Sequence, residues 1–351
     1  MSSAPPHRLI RMLTATAPGS TPVGSVTVPG SSDTVTTVPG LDELEQHRRE
    51  LTAYCYRMLG SGFEADDAAQ ETIVRAWKAA DSFEGRSSVR SWLYRIATNV
   101  CLDMLRGRQR RARPMELGPS VLADPVHLAH TLPEHLWVTP VPDGKVVSGD
   151  GDPADVAEAK ESIRLAFVAA LQHLPARQRA VLILREVLRW QATEVAELLD
   201  SSVASVNSAL QRARATLATC DLDRAPSIAA DQQALLARYV DAFERYDVAE
   251  LVTLLHEDAV QSMPPYSMWI QGRDEIGKWL LGPGIECKGS RLVPIDVNGT
   301  AGFAQYRPDP AGGHAPWSIQ VLDIDGERIC GFHSFLDTDL FAAFGLPAHL
   351  D

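Results

Sequence analysis

The sequence predicts a multidomain chain: two all-α modules, the second carrying a helix-turn-helix, followed by an α+β domain. Three observations predict it. Apolar residues recur at helical spacing over 41–113 and again over 156–220. A Pro-, Gly- and acid-rich stretch, 114–155, separates the two. Beyond residue 258 the pattern changes to short β-rich segments bounded by turn residues. A length of 351 residues with 45% hydrophobic and 22% charged residues suits two or three packed domains.

Residues 1–40 hold mostly Ser, Thr, Pro, Gly and Val with no face to bury, and read as a disordered tail. In 41–113, Leu51, Tyr54, Cys55, Met58 and Leu59 follow the spacing of an amphipathic helix, stopped by Gly60-Ser61-Gly62. Asp66 and Asp67 open a second helix, with acids near its positive N-terminus. After a loop at 81–88, a third helix carries Trp92, Leu93, Ile96, Ala97 and Val100 on one side and ends in a basic run. The stretch 114–155 has no sustained period and is too long for a structureless loop inside a compact domain, so it reads as an acidic linker.

In 156–220, Ile163, Phe167, Ala170, Leu171 and Leu174 form one stripe, and Pro175 suits the start of the next helix. A helix over 192–199, a short turn at Asp200-Ser201-Ser202 and a helix over 203–219 follow. In 229–351 two helices (229–246 and 247–256) precede strands at 259–263, 268–271, 291–297, 301–306, 317–323 and 328–335. Asp325-Gly326 marks a hairpin between the last two.

The net charge of −12 does not exclude nucleic acid, because it is unevenly placed. Residues 42–113 and 156–220 each carry net +2, the linker −6 and residues 221–351 −11. No apolar run reaches the ~20 residues of a membrane span, and no secretory signal opens the chain. The five cysteines are scattered, without a C-x-x-C pair, which favours reduced thiols in a cytoplasm over a zinc ribbon or disulfide scaffold. No metal, cofactor or catalytic constellation stands out.

Three features carry function. In the helix pair at 192–217, Val203, Val206, Leu210, Ala213 and Leu217 share one face, and Ala196 is small where the helices meet. Ser205, Ser208, Gln211 and Arg212 point away, with Asn207 and Arg214 on the flanks, as a major-groove reader requires. In DAAQETIVRAWK, Asp67, Glu71 and Arg75 stand four apart beside Gln70, a charged ridge suited to docking a large protein, while Ile73 and Trp77 turn to the core. The loop SFEGRSS, with Trp92, Tyr94, Arg95, Asn99 and Asp103 on the next helix, interleaves aromatic and polar groups in the manner of a surface for unstacked bases.

Together these features resemble RNA polymerase sigma factors of the extracytoplasmic-function type, in the sigma-70 family. DAAQET and RAW in 67–77 are similar to that family's region two, SFEGRSSVRSWLYRIATN to its promoter-melting segment, and 161–217 to its region four. The resemblance implies that Asp67, Gln70, Glu71 and Arg75 meet the clamp helices of the polymerase β′ subunit, with the β flap as a further contact. It implies that Phe83, Arg86, Ser87 and Ser88, with Asn99 and Asp103, capture a flipped base of the −10 element. Arg108, Arg110 and Arg111 would meet DNA backbone. Ser205, Asn207, Ser208, Gln211, Arg212 and Arg214 would read the −35 element, with Arg177 and Arg179 near phosphates. Asn207 and Gln211 stand where Arg or an aromatic is frequent, which implies weak binding to free DNA.

Residues 229–351 resemble the SnoaL-like domain, a cone-shaped α+β fold. Met263, Tyr266, Trp269, His314, Trp317, His333 and Phe335 are its candidate lining. The cone reads either as filled and regulatory or as a container for a small-molecule ligand. The expected whole is a non-enzymatic transcription initiation factor that binds core polymerase, recognises −10 and −35 elements and promotes melting. The alternative is a small-molecule-responsive regulator or enzyme acting through the cone.

Overall fold

Four helices begin the chain: α1 (Leu41–Glu45), α2 (Arg48–Leu59), α3 (Gly62–Lys78) and α4 (Val89–Met104). The structure, a computed structural model, describes residues 39–85, 87–220 and 232–351, so most of the expected tail, and Arg86, lie outside the described residues. α2 ends where Gly60 takes φ +74°, a left-handed conformation that costs glycine nothing. Ser61 then caps α3, its hydroxyl accepting from the Glu64 N–H at 3.4 Å, so this helix starts ahead of the acids expected to open it. The stripe from Leu51 to Leu59 is buried, and Tyr54 meets Tyr94 of α4 edge-on at 5.2 Å.

The stretch 114–155 is ordered into short turns and a helix, α5 (Asp143–Val146). On one side it is tied to the first module: the Thr139 N–H donates to Gly60 O at 3.0 Å, and the Tyr56 hydroxyl donates to Thr139 O at 2.9 Å. On the other side it is tied to the C-terminal sheet: the Val121 N–H donates to Trp269 O and the Leu132 N–H to Pro265 O, each at 2.9 Å. A segment without periodicity thus gains its order from tertiary contacts rather than from a repeating face.

The second module comprises α6 (Pro153–Glu161), α7 (Leu165–Gln172), α8 (Ala176–Leu182) with a π turn at Ile183–Val187, α9 (Ala192–Leu198) and α10 (Val203–Leu217). α9 and α10 form the expected helix-turn-helix. Ser202 caps α10 through the Ser205 N–H at 3.1 Å, and Ala196 is buried at the crossing. Val206, Leu210, Ala213 and Leu217 face inward as expected. Val203 does not: it sits in the first turn, 38% exposed.

The C-terminal domain holds α11 (Gln232–Arg245), α12 (Val248–Leu254), α13 (Arg273–Leu281), α14 (Asp339–Ala343) and six strands. These are β1 (Leu255–Ser262), β2 (Trp269–Gln271), β3 (Arg291–Val297), β4 (Thr300–Pro308), β5 (His314–Asp325) and β6 (Arg328–Phe335), in sheet order β2-β1-β6-β5-β4-β3. Only the β1–β6 pair is parallel. Strand alternation gives the sheet two buried faces. Phe303, Leu322, Ile324 and Phe332 join α11–α13 in the cone's own core. Ala304, Tyr306, Ile319, Val321 and Phe335 belong instead to the core that runs through both helical modules.

The β3–β4 turn is the tie between the domains. Val297 pairs with Thr300, leaving Asn298 (φ +50°) and Gly299 (φ +68°) as the Asn-Gly pair that a two-residue turn with left-handed conformations demands. Asn298 is fully buried. Its Nδ2 donates to the Tyr56 hydroxyl at 2.6 Å and to Ile163 O at 2.7 Å, and its Oδ1 accepts from the Val141 N–H at 3.0 Å. The Gly299 N–H donates to Asp143 Oδ1 at 2.8 Å, and a Cβ on Gly299 would lie 2.4 Å from Lys160 O. First module, linker and second module therefore all end on one turn. Replacing Asn298 by Ala leaves three buried polar partners unmet, so about 2–4 kcal/mol of stability should be lost. Chemical denaturation should show that loss, with the cone unfolding separately from the helices; a single transition at unchanged denaturant concentration would refute it.

Candidate nucleic-acid and partner interfaces

The α3 ridge is exposed as expected. Arg75 Nε donates to Glu71 Oε1 at 2.6 Å, and Arg48 Nη2 donates to Gln70 Oε1 at 2.8 Å, while Asp67 stands in solvent. Ile73 is buried, but Trp77 is 59% exposed, against expectation. Ala76 takes the inward position of that last turn, and Trp77, one 100° step further, falls outside. The ridge therefore ends in an open indole.

The loop before α4 places Phe83 against Trp92, ring centroids 5.0 Å apart. Ser87 is exposed. The Ser88 hydroxyl is used to cap α4, accepting from the Ser91 N–H at 3.1 Å. Asn99 and Asp103 are exposed, and Arg106 binds Asp103 at 3.0 Å. At 1.5 Å per residue, Asn99 lies about 16 Å along the helix axis from Ser88. The loop and Asn99 are thus set apart by about three turns of α4.

The basic run is divided. Arg108 pairs with Glu64 and Arg110 with Glu116 at 3.0 Å, both with exposed side chains. Arg111 is 7% exposed: it donates to Trp137 O at 2.6 Å and pairs with Glu64 at 2.9 Å. Its expected backbone contact is corrected, since the linker folds back over it. Arg179 is corrected likewise. It is 4% exposed and donates to Met58 O of α2 and to the Gln172 and Leu174 carbonyls. Arg177 remains exposed and holds the helix-turn-helix through Leu199 O at 2.7 Å.

On α10, Ser205, Asn207, Ser208, Gln211 and Arg212 are all exposed along one side. Arg214 is half-buried and paired with Glu186 at 2.5 Å, so it braces the module. Meanwhile α4 lies against this module: Arg95 donates to Glu197 O at 3.0 Å, and Tyr94 packs on Trp190 at 5.1 Å with Arg90 over the same indole. The two candidate DNA surfaces therefore belong to modules in direct contact.

In the cone, Met263, Tyr266 and Trp317 line a cavity of about 180 Å³. The other four candidates do not. Trp269 turns to the linker, its indole N–H donating to Gly118 O at 2.8 Å, and His314 bonds Gly289 O at 3.1 Å. His333 and Phe335 alternate to the opposite sheet face from Phe332 and Ser334, which line the cavity. There His333 links the Ser262 hydroxyl (2.8 Å) to Asp323 (3.1 Å). This set has the residue types of a nucleophilic triad, but Ser262 and His333 are sealed within the interior on the face turned away from the cavity. Sequence reasoning missed Gln261, Gln305 and Gln320, whose placement in the cavity follows from strand register, and Asn298, whose Asn-Gly signal was legible.

Comparisons with known proteins cover all three parts of the chain. The Sigma-70 region 2 model matches residues 44–111, the Sigma-70 region 4 model 164–217, and the SnoaL-like domain model 236–332. The ECF RNA polymerase sigma factor SigG of Mycobacterium tuberculosis is 46% identical over 314 residues, spanning 87% of this chain and 83% of that protein. SigJ of the same species is 26% identical over 317 residues, spanning 86% and 93%. SigW of Bacillus subtilis is 29% identical over 176 residues, spanning 50% and 85%. The crystal structure of M. tuberculosis SigJ shares the fold, with TM-score 0.58 and 22% identity over 88% of this chain and all of that one. Among the described residues no helix is long and apolar enough to cross a membrane. The chain belongs to the ECF RNA polymerase sigma factors, with regions two and four followed by a SnoaL-like domain.

Proposed function

We propose that this sigma factor docks on core RNA polymerase through the α3 ridge, reads promoter DNA through α4 and α10, and must leave the described arrangement to do so. The observation that supports this most is the contact of α4 with the second module through Arg95, Tyr94 and Trp190. Elements named −10 and −35 lie ~25 base pairs apart, roughly 85 Å of B-DNA at 3.4 Å per pair. Modules in contact do not span that distance. The C-terminal domain, through Asn298, holds them together, and in this way it modulates activity. The chain works in the cytoplasm, where polymerase and promoter meet.

The ridge suits a transient partner. The Glu71–Arg75 pair is solvent-exposed and worth little, so its charges can re-pair with the β′ clamp helices at small cost. Phe83, Ser87 and Asn99 serve an opened strand by stacking and edge contacts, successive nucleotides meeting successive groups along α4. On α10, Gln211 and Asn207 suit adenine, and Arg212 suits guanine or a phosphate. With the basic run partly paired and Arg179 inside, the free chain binds duplex DNA weakly, and polymerase supplies the missing affinity.

One observation favours a second reading, in which the modulating signal is a small molecule held by the cone. The cone holds a cavity of about 180 Å³ in which aromatic walls from Phe243, Trp279, Trp317 and Phe332 stand beside Gln261, Gln305 and Gln320.

Three outcomes test the first reading in reconstituted holoenzyme. Gln211→Ala should weaken binding to a −35 duplex by about 1–3 kcal/mol at the contacted base, while Arg214→Ala should not shift base preference. Glu71→Lys should lower the affinity for core polymerase at least tenfold in a fluorescence titration. Asn298→Ala should raise run-off transcription from a cognate promoter. Unchanged affinity in the first two, or unchanged transcription in the third, would contradict the corresponding assignment.

A further inference from the structure

We propose that the junction of the two helical modules holds a small phosphate-bearing anion, and that this anion clamps the packed arrangement. The site goes beyond the function proposed above; only its clamping consequence rests on that reading. A pocket of about 210 Å³ lies where the basic run after α4, the linker and the second module meet. Arg108, Arg110 and Arg111 reach it from the first module, His135 from the linker, and Gln172 and Arg179 from α7 and α8. A water fills ~30 Å³ in the liquid, so a tetrahedral oxyanion has room there.

Positive charge at this junction is short of partners. Glu64 Oε1 alone serves two guanidinium groups, those of Arg108 and Arg111. Glu116 is divided between Arg110 at 3.0 Å and Arg113 at 3.9 Å. Glu134 is the other acid acting on Arg111. Arg179 meets no carboxylate: it donates to Gln172 Oε1 and to the carbonyls of Met58, Gln172 and Leu174. Arg108, Arg110, Arg111, Arg113 and Arg179 therefore outnumber Glu64, Glu116 and Glu134 by two. Burial pulls the Arg179 guanidinium down to about 10 and lowers that of Arg111 as well. An anion in the pocket would restore what burial takes from both.

The excess also says which anion. A phosphate group carries about −1.5 to −2 at pH 7, close to the unmatched charge, and its oxygens suit guanidinium forks. Arg108 and Arg110 are exposed and spend only Nη1 on protein partners, so Nε and Nη2 of each are left for it. Arg111 and Arg179 are 7% and 4% exposed, beyond the reach of a rigid duplex backbone while the modules are packed. His135 is held at the pocket by two backbone bonds: the Ala112 N–H donates to Leu136 O at 2.8 Å, and the Val138 N–H to Ala112 O at 3.2 Å. Since the lining comes from three segments, the anion binds the packed chain better than the opened one and shifts the balance toward it.

The test uses the full chain, titrated with inorganic phosphate, acetate and chloride at matched ionic strength and followed by calorimetry and amide hydrogen exchange. Phosphate should bind at least tenfold more tightly than acetate or chloride. Arg108→Gln and Arg110→Gln should each weaken phosphate at least tenfold. Arg106→Gln removes the same charge from an exposed neighbour outside the pocket, and should bind phosphate as the unaltered chain does. Phosphate should slow exchange at the Ala112 and Val138 amides several-fold, and a non-cognate DNA duplex should not displace it. Equal affinity for the three anions, or equal loss in Arg106→Gln, would reduce the site to diffuse charge and overturn it. Displacement by the duplex would assign these arginines to DNA backbone instead. Binding without slower exchange would overturn the clamp alone. Unprotected amides in the anion-free chain would overturn the packed arrangement and the pocket with it, whereas protected amides without phosphate binding would overturn only the pocket.

Discussion

A primary amide has two donors and an acceptor, and at Asn298 all of them are spent on separate parts of the chain: α2, the linker, and the entry to the second module. The turn that carries it tolerates little change. Its neighbour Gly299 is pressed against the Lys160 backbone, and both residues need left-handed backbone. Burial pushes the Asp143 carboxyl above its ordinary range, yet that group still accepts from the Gly299 N–H. Because one buried turn satisfies polar groups from three segments, moving any one of them strands the others. Such an arrangement favours two discrete states over a graded series.

The rest of the junction is of a different kind. Arg57 and Arg179 cross between the helical modules to reach neutral acceptors, Ser162 in one case and backbone carbonyls in the other. Burial pulls both guanidinium groups down to about 10. A charge held without a counter-charge regains hydration when exposed, which offsets part of the apolar area lost on separation. The continuous core therefore joins strong apolar contact to charged groups that favour release, a balance suited to an interface that opens.

What the sequence disclosed was what period discloses. The helical stripes, the helix-turn-helix and all six strands rest on local alternation, and the structure has them, with β3 and β6 at the expected bounds. What it hid was long-range. Trp77 and Val203 lie at helix ends, where an angle count no longer tells inside from outside. Arg111 and Arg179 read as surface cations because nothing local shows that a linker or a neighbouring helix will cover them. In the cone, aromatic and histidine residues drew attention by type, but strand parity decided the lining, giving the cavity to Gln261 and Ser334 and the opposite face to His333 and Phe335. The Asn298-Gly299 pair carries a hairpin signal that the sequence analysis passed over, and nothing local shows its insertion among three other segments.

These features make a sigma factor whose two DNA-reading modules are packed together by its own C-terminal domain. The most direct measurement is a spin-label distance between position 99 on α4 and position 208 on α10, in the free chain and in a promoter complex with core polymerase. A short, narrow distribution in the free chain that lengthens by tens of ångströms in the complex is the predicted result. A free chain already as extended as the complex, or a complex that keeps the short distance, would contradict it.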